Sequence, residues 1–192
     1  MAVANEKWQF VFLAEPHTAS RAVRDALLKL PSSYKAGSHH ISMRAMLNYK
    51  NLRHRKHNYY TTFCVVRNPA DIMVTIWLQS YEYTKQGQTL GEFIRRFGVN
   101  KPTTYFFKHA PTANHVLCYE DLQEELNCLL RSLYAPSVTL DTVGPTKDKE
   151  PWFRYYTIED LEYMLSNFPE VPQWGYVEAI QRQISAKLEN RT

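Results

Sequence analysis

The stretch that most limits how this chain can fold is "FCVVRNPADIMVTIWLQ", residues 63–79. Its opening is apolar at every position rather than every second one, as in a strand buried on both faces. The run ends in Arg67. Asn68 then offers a side-chain oxygen to cap a helix, Pro69 fits that helix's first position, and Asp71 lies in its first turn. A buried strand feeding directly into a capped helix is the unit of which parallel sheets are made.

The pattern recurs along the chain. Strands are expected over 8–14, 34–39, 61–67 and 115–120, with a short fifth at "SVTL", 137–140. Helical spacing covers 20–30, 41–50, 69–83, 89–97, 120–133, 157–167 and 177–189. Such alternation predicts an α/β protein, a three-layer α/β/α arrangement around a central, mainly parallel sheet. Ligands of such sheets sit at the carboxyl ends of the strands, which lines residues 15–20, 39–40, 67–68 and 119–121 along one edge. The stretch from Tyr134 to Tyr156 reads as a long loop, and Thr157 as the N-cap of the helix behind it. Met73, Ile76, Trp77 and Tyr81 fall at helical spacing and predict one apolar face. Glu120 and Asp121 are placed to cap the helix that follows them.

With 192 residues, 44% of them apolar, the chain suits a single domain, 1–192, with a real core. A net charge of +4 fits an anionic ligand, with no nucleic-acid partner expected. The three cysteines, Cys64, Cys118 and Cys128, are too few and too scattered for a disulfide framework or a zinc site, and are expected as reduced, buried thiols. No apolar run has the length of a membrane span and no signal-peptide core opens the chain, so a soluble, cytoplasmic protein is expected. There is no internal repeat or low-complexity tract.

Two places can receive an anion. The first is "AEPHTASRAVRDALLKL", 14–30, where a buried strand passes through Pro16, His17, Thr18, Ala19 and Ser20 into a helix with Arg21 in its first turn. Helix N-termini leave backbone N–H groups unpaired and favour negative charge. The second is Arg67 with Thr75, two helical turns beyond it, whose side chain leans back toward the strand end. One guanidinium and one hydroxyl together suit a phosphate; a helix cap beside a surface arginine is the plainer alternative. His39 and His40 are expected at the end of the second strand.

These stretches resemble, in order, the motifs of the PAPS-dependent sulfotransferases, above all the carbohydrate and 2-O-sulfotransferase-like branch. "RNPADIMVT" is similar to that family's 3′-phosphate motif, with Thr75 where serine is usual. Residues Pro16-His17-Thr18-Ala19-Ser20-Arg21 resemble its 5′-phosphosulfate loop, usually Pro-Lys-Thr-Gly followed by two hydroxyl residues. "VLCYEDL" (116–122), "GSHHISMRAML" (37–47) and "WGY" (174–176) complete the likeness, which covers residues 8–176. It implies a P-loop-like nucleotide-binding fold and transfer of a sulfuryl group from PAPS (3′-phosphoadenosine 5′-phosphosulfate) to a hydroxyl, on a carbohydrate, without a metal. Residues 16–21 would hold the 5′-phosphosulfate, Arg67 and Thr75 the 3′-phosphate, with Lys147 as a further contact. His40 or His39 would be the base that takes the acceptor's proton, a task suited to the imidazole pKa.

The chain departs from the family at His17, which replaces the loop lysine, and at Ala19, which replaces glycine. Beside a phosphosulfate the imidazole's pKa should rise, so His17 can serve as an imidazolium; otherwise Arg21 supplies the charge. Alanine at 19 costs little unless that position requires positive φ. Two other readings stand beside the enzyme: a catalytically weak or inactive homologue that binds PAPS or a polyanion, and a P-loop nucleotide kinase. Against the kinase, no G-x-x-x-x-G-K-[ST] motif occurs. The basic run "LRHRKH", 52–57, is either a polyanion contact or a solvated loop.

Overall fold

The computed structural model describes residues 2–36, 60–80, 87–100, 109–141, 149–168 and 175–189. Among them are five strands and six α-helices, an α/β protein. The chain clusters into two compact units interleaved in sequence: Met1–Arg67 with Phe107–Val143, and Asn68–Phe106 with Gly144–Thr192.

The first unit holds the sheet. Its strands are β1 (Ala2–Asn5), β2 (Phe10–Leu13), β3 (Ser33–Ala36), β4 (Thr61–Val66) and β5 (His115–Cys118), in the spatial order β3-β1-β2-β4-β5. β2, β4 and β5 are parallel neighbours, as the apolar runs indicate. β1 is antiparallel to both β2 and β3, so the sheet is mixed where a mainly parallel one was expected. This strand gives little signal in the sequence because Ala2, Val3 and Ala4 are small, yet all three are buried.

The β1–β2 hairpin is built around Asn5. Its side-chain oxygen accepts from the Trp8 N–H (2.9 Å), and its amide donates to the Pro31 carbonyl (2.9 Å) and to Ser33 Oγ (2.7 Å). One fully buried side chain thus closes the turn and ties it to the start of β3. Trp8 and Gln9 belong to this turn rather than to the strand expected from residue 8.

The helices of this unit are α1 (Ser20–Leu27) and α4 (Leu122–Ser132). In α1 the buried positions are Val23, Ala26 and Leu27; in α4 they are Leu122, Leu126, Leu129 and Leu130. Both sets follow helical periodicity. All of these but Ala26 join one core cluster with Val3, Phe10, Phe12, Phe63, Val65 and Leu117, so both helices cover the same sheet face. The Phe63 ring lies against Phe12 (5.4 Å between centroids) and Phe10 (5.8 Å). The alternate side chains Val11, Leu13, Cys64 and Val66 are buried too.

No strand forms at 137–140. The side chains of α4 take a strand neighbour's place there: the Gln123 amide donates to the Val138 carbonyl (2.8 Å) while its oxygen accepts from the Leu140 N–H (2.8 Å). The Val138 N–H goes to the Asn127 side chain (2.8 Å). Backbone groups so paired gain nothing from joining the sheet.

The second unit is helical among the described residues. It contains α2 (Pro69–Gln79), α3 (Leu90–Asn100), a 3-10 turn at Trp152–Tyr155, α5 (Ile158–Asn167) and α6 (Tyr176–Glu189). α2 packs on α3 and on the 3-10 turn, α3 on α5, and α5 on α6. The expected caps form: Asn68 Oδ1 accepts from the Ala70 N–H (2.9 Å), Pro69 is the first helical residue, and Thr157 makes a reciprocal capping box with Asp160. Instead of one apolar face, α2 is buried nearly all round over its first turns, at Ala70, Ile72, Met73, Val74 and Thr75. Ile76 and Trp77 are half-buried, and Tyr81 lies outside the described residues. Gly91 permits the approach of α3 to α5, because a Cβ there would collide with the Asp160 carboxylate. That carboxylate is pinned by Arg95 (2.8 Å) and by the cap. No described helix is long and apolar enough to cross a membrane.

Of the three thiols, Cys64 alone is fully buried; Cys118 is half-buried and Cys128 exposed, which corrects the expectation that all are interior. Burial, and then the nearby Glu15 carboxylate, pushes the Cys64 thiol far above its ordinary range.

Candidate functional site

The loop between β2 and α1 carries most of the features of an anion site. His17 and Ala19 both have left-handed backbone, φ 57 in each case. Ala19 stands at the N-cap of α1, offers no capping side chain, and is followed by a first turn without acidic residues. Amides of such a turn, and of a chain that changes hand from residue to residue, point into a concavity that suits phosphate. Position 19 therefore does require positive φ, and alanine bears a strain that glycine would not.

The loop is held from beneath. The Thr18 hydroxyl donates to the Glu15 carbonyl (3.0 Å), and the Glu15 carboxylate accepts from the His109 N–H. Thr18 and Glu15 are fully buried. The Thr18 hydroxyl proton thus closes the loop. Ser20 and His17 are half-exposed, as is Pro16, and Arg21 is exposed.

Arg67, at the carboxyl end of β4, joins the ends of three parallel strands. Its Nη1 donates to the His17 carbonyl (3.0 Å) in the loop after β2, and its guanidinium lies 4.3 Å from the centroid of the Tyr119 ring after β5. It is buried, at 9% exposure. The strand ends expected to converge, 15–20, 67 and 119, thus do so within the first unit. The other part of the expected edge, His39 and His40, lies outside the described residues, as do Lys147 and the basic run at 52–57.

Thr75, in the second unit, has its own surroundings. Its hydroxyl donates to the Asp71 carbonyl one turn back (2.9 Å) and accepts from Lys149 Nζ (3.0 Å). Lys149, only 5% exposed, also pairs with the Asp71 carboxylate and donates to the Asp71 carbonyl (3.1 Å). Lys149 had no sequence signal: the partners lie 78 and 74 positions away, with no motif to link them. Above the same helix, the Tyr156 hydroxyl donates to the Ala70 carbonyl (2.9 Å). Burial, then the Asp160 and Asp71 carboxylates, raises its pKa well above that of a free tyrosine.

A cleft of about 390 Å³ opens beside Tyr119, lined by Glu120, Asp121, Leu122, Gln123, Glu124 and Leu140. Three carboxylates, Glu120, Asp121 and Glu124, make this cleft unfavourable for phosphates. Asp121 sits at the N-cap of α4 without capping through its side chain. It is Glu125, from within the helix, that reaches back to the Cys118 N–H (2.5 Å), which corrects the expected cap. Among the described residues no group of three or more His, Cys, Asp or Glu side chains is arranged to hold a metal ion. Set against known proteins, the chain matches no family model, and no curated protein or solved structure gives a significant match.

Proposed function

We propose that the chain is a sulfotransferase of P-loop-like, three-layer fold that moves a sulfuryl group from PAPS to a hydroxyl, on a carbohydrate. The observation that carries this reading is the loop at 15–20: left-handed at His17 and Ala19, uncapped at the start of α1, and joined through Arg67 to the neighbouring strand ends. That is a phosphate-receiving shape at the edge where parallel sheets bind nucleotides. The ordered resemblance along residues 8–176 supplies the chemistry.

In that chemistry the acceptor oxygen attacks sulfur in line, the bond from sulfur to the bridging phosphate oxygen breaks, and 3′,5′-adenosine bisphosphate leaves. The base, His40 or His39, takes the hydroxyl proton. Loop amides and a cationic His17 or Arg21 stabilise the charge that develops on the leaving phosphate. By the resemblance, the 3′-phosphate falls to Arg67 and Thr75, with Lys147 near it.

Transfer of radiolabelled sulfate from PAPS to a panel of glycans tests the reading. Wild type should label at least one glycan, and His40→Ala should lower the rate by about 10²–10⁴-fold while still binding the nucleotide. Nucleotide binding with no transfer to any hydroxyl acceptor would favour the non-catalytic alternative, to which the substituted loop lysine already gives some weight.

A further inference from the structure

The resemblance gives Arg67 to the nucleotide's 3′-phosphate, yet its guanidinium is engaged on the protein itself. We infer that Arg67 is a positioning residue for the 5′-phosphosulfate loop. It grips the His17 carbonyl and thereby fixes the direction in which the loop's amides point. The ligand arm of this inference rests on the function proposed above.

Left-handed backbone at two non-glycine residues within three positions persists only where the surroundings over-determine it. The bonds from the Thr18 hydroxyl to the Glu15 carbonyl and from the His109 N–H to the Glu15 carboxylate secure the start of the loop. The bond from Arg67 Nη1 to the His17 carbonyl, 3.0 Å, acts at a left-handed residue directly. Tyr119, with its ring centroid 4.3 Å from the guanidinium, packs against the arginine that makes this bond. No peptide bond among the described residues is cis. In a trans peptide the carbonyl and the following N–H point in opposite directions. The carbonyl that turns toward Arg67 therefore turns the Thr18 N–H away from it. Arg67 and the Thr18 amide face different groups, and Arg67 reaches the 5′ end of the nucleotide through the loop.

The test compares Arg67→Met with wild type for binding of two nucleotides that differ in one group: PAPS and adenosine 5′-phosphosulfate, which lacks the 3′-phosphate. In parallel, hydrogen exchange at the Thr18–Val23 amides is followed in the ligand-free proteins. A brace predicts the same loss for both nucleotides, roughly tenfold or more, with faster exchange across the loop. Arg67→Lys, which keeps a donor for the carbonyl, should restore much of both. A loss confined to PAPS, or unchanged exchange in Arg67→Met, would overturn the inference. If Arg67→Met does not fold, the same comparison on Arg67→Lys decides between equal loss and loss of PAPS alone. Should wild type bind neither nucleotide, the sulfotransferase reading fails while exchange still decides the brace.

Discussion

At Ala19 two opposing effects can be weighed. Left-handed backbone costs an L-residue about 1–2 kcal/mol, and φ there is 57. Glycine removes that strain but adds about 0.4–1 kcal/mol of unfolded-state entropy to be lost on folding. Relief wins. Ala19→Gly should raise the urea midpoint by the equivalent of about 0.5–1 kcal/mol, and a lowered midpoint would mean that φ at 19 is not left-handed in solution. At this scale the sequence was partly legible. Asn68, Pro69, Asp71, Thr157 and Arg67 stand where their side-chain chemistry puts them, because caps and strand ends are local. Lys149 and Glu15 were not legible, since what gives each its importance is a partner far along the chain, Asp71 for one and His109 for the other.

Helix α2 shows how an element draws on groups outside it. Its first turn is capped by Asn68, neutralised by Lys149 at Asp71, and bonded at the Ala70 carbonyl by Tyr156. Tyr156 gives this arrangement a pH signature. Its folded pKa is raised, so the folded state holds that proton more tightly than the unfolded chain does. The contribution is complete below the ordinary tyrosine pKa of about 10 and is lost as pH climbs beyond it. Urea unfolding between neutral pH and pH 11 should show wild-type stability falling at the alkaline end. Tyr156→Phe should start about 1 kcal/mol lower at neutral pH, for its lost hydrogen bond, and decline less steeply. Parallel slopes would remove Tyr156 from the account; the Cys64 thiol titrates in both proteins and cancels. Elements with a strong sequence pattern, helical spacing in α4 and an unbroken apolar run in β4, were readable in the sequence. β1 was not, being four residues of mostly small side chains, and 137–140 misled because its strand-like composition is satisfied by Gln123 and Asn127.

The described residues comprise a mixed five-stranded sheet unit and a helical unit, and the sheet's parallel part, β2-β4-β5, places three strand ends around Arg67. That much followed from alternating strands and helices. The antiparallel β1 did not, because a hairpin depends on one buried asparagine rather than on any periodicity. The candidate site was legible as a loop and an arginine. Its strain was not, since φ at an alanine leaves no trace in sequence. The central claim is that this edge receives a nucleotide phosphorylated at both its 3′ and 5′ positions. Thermal denaturation with 3′,5′-adenosine bisphosphate beside ADP–Mg²⁺ tests it most directly. At a free concentration of about 100 times Kd the bisphosphate should stabilise the fold by about 2.7 kcal/mol, a rise in Tm of several degrees, with a smaller rise for ADP–Mg²⁺. A larger rise with ADP–Mg²⁺, or none with the bisphosphate, would contradict the account.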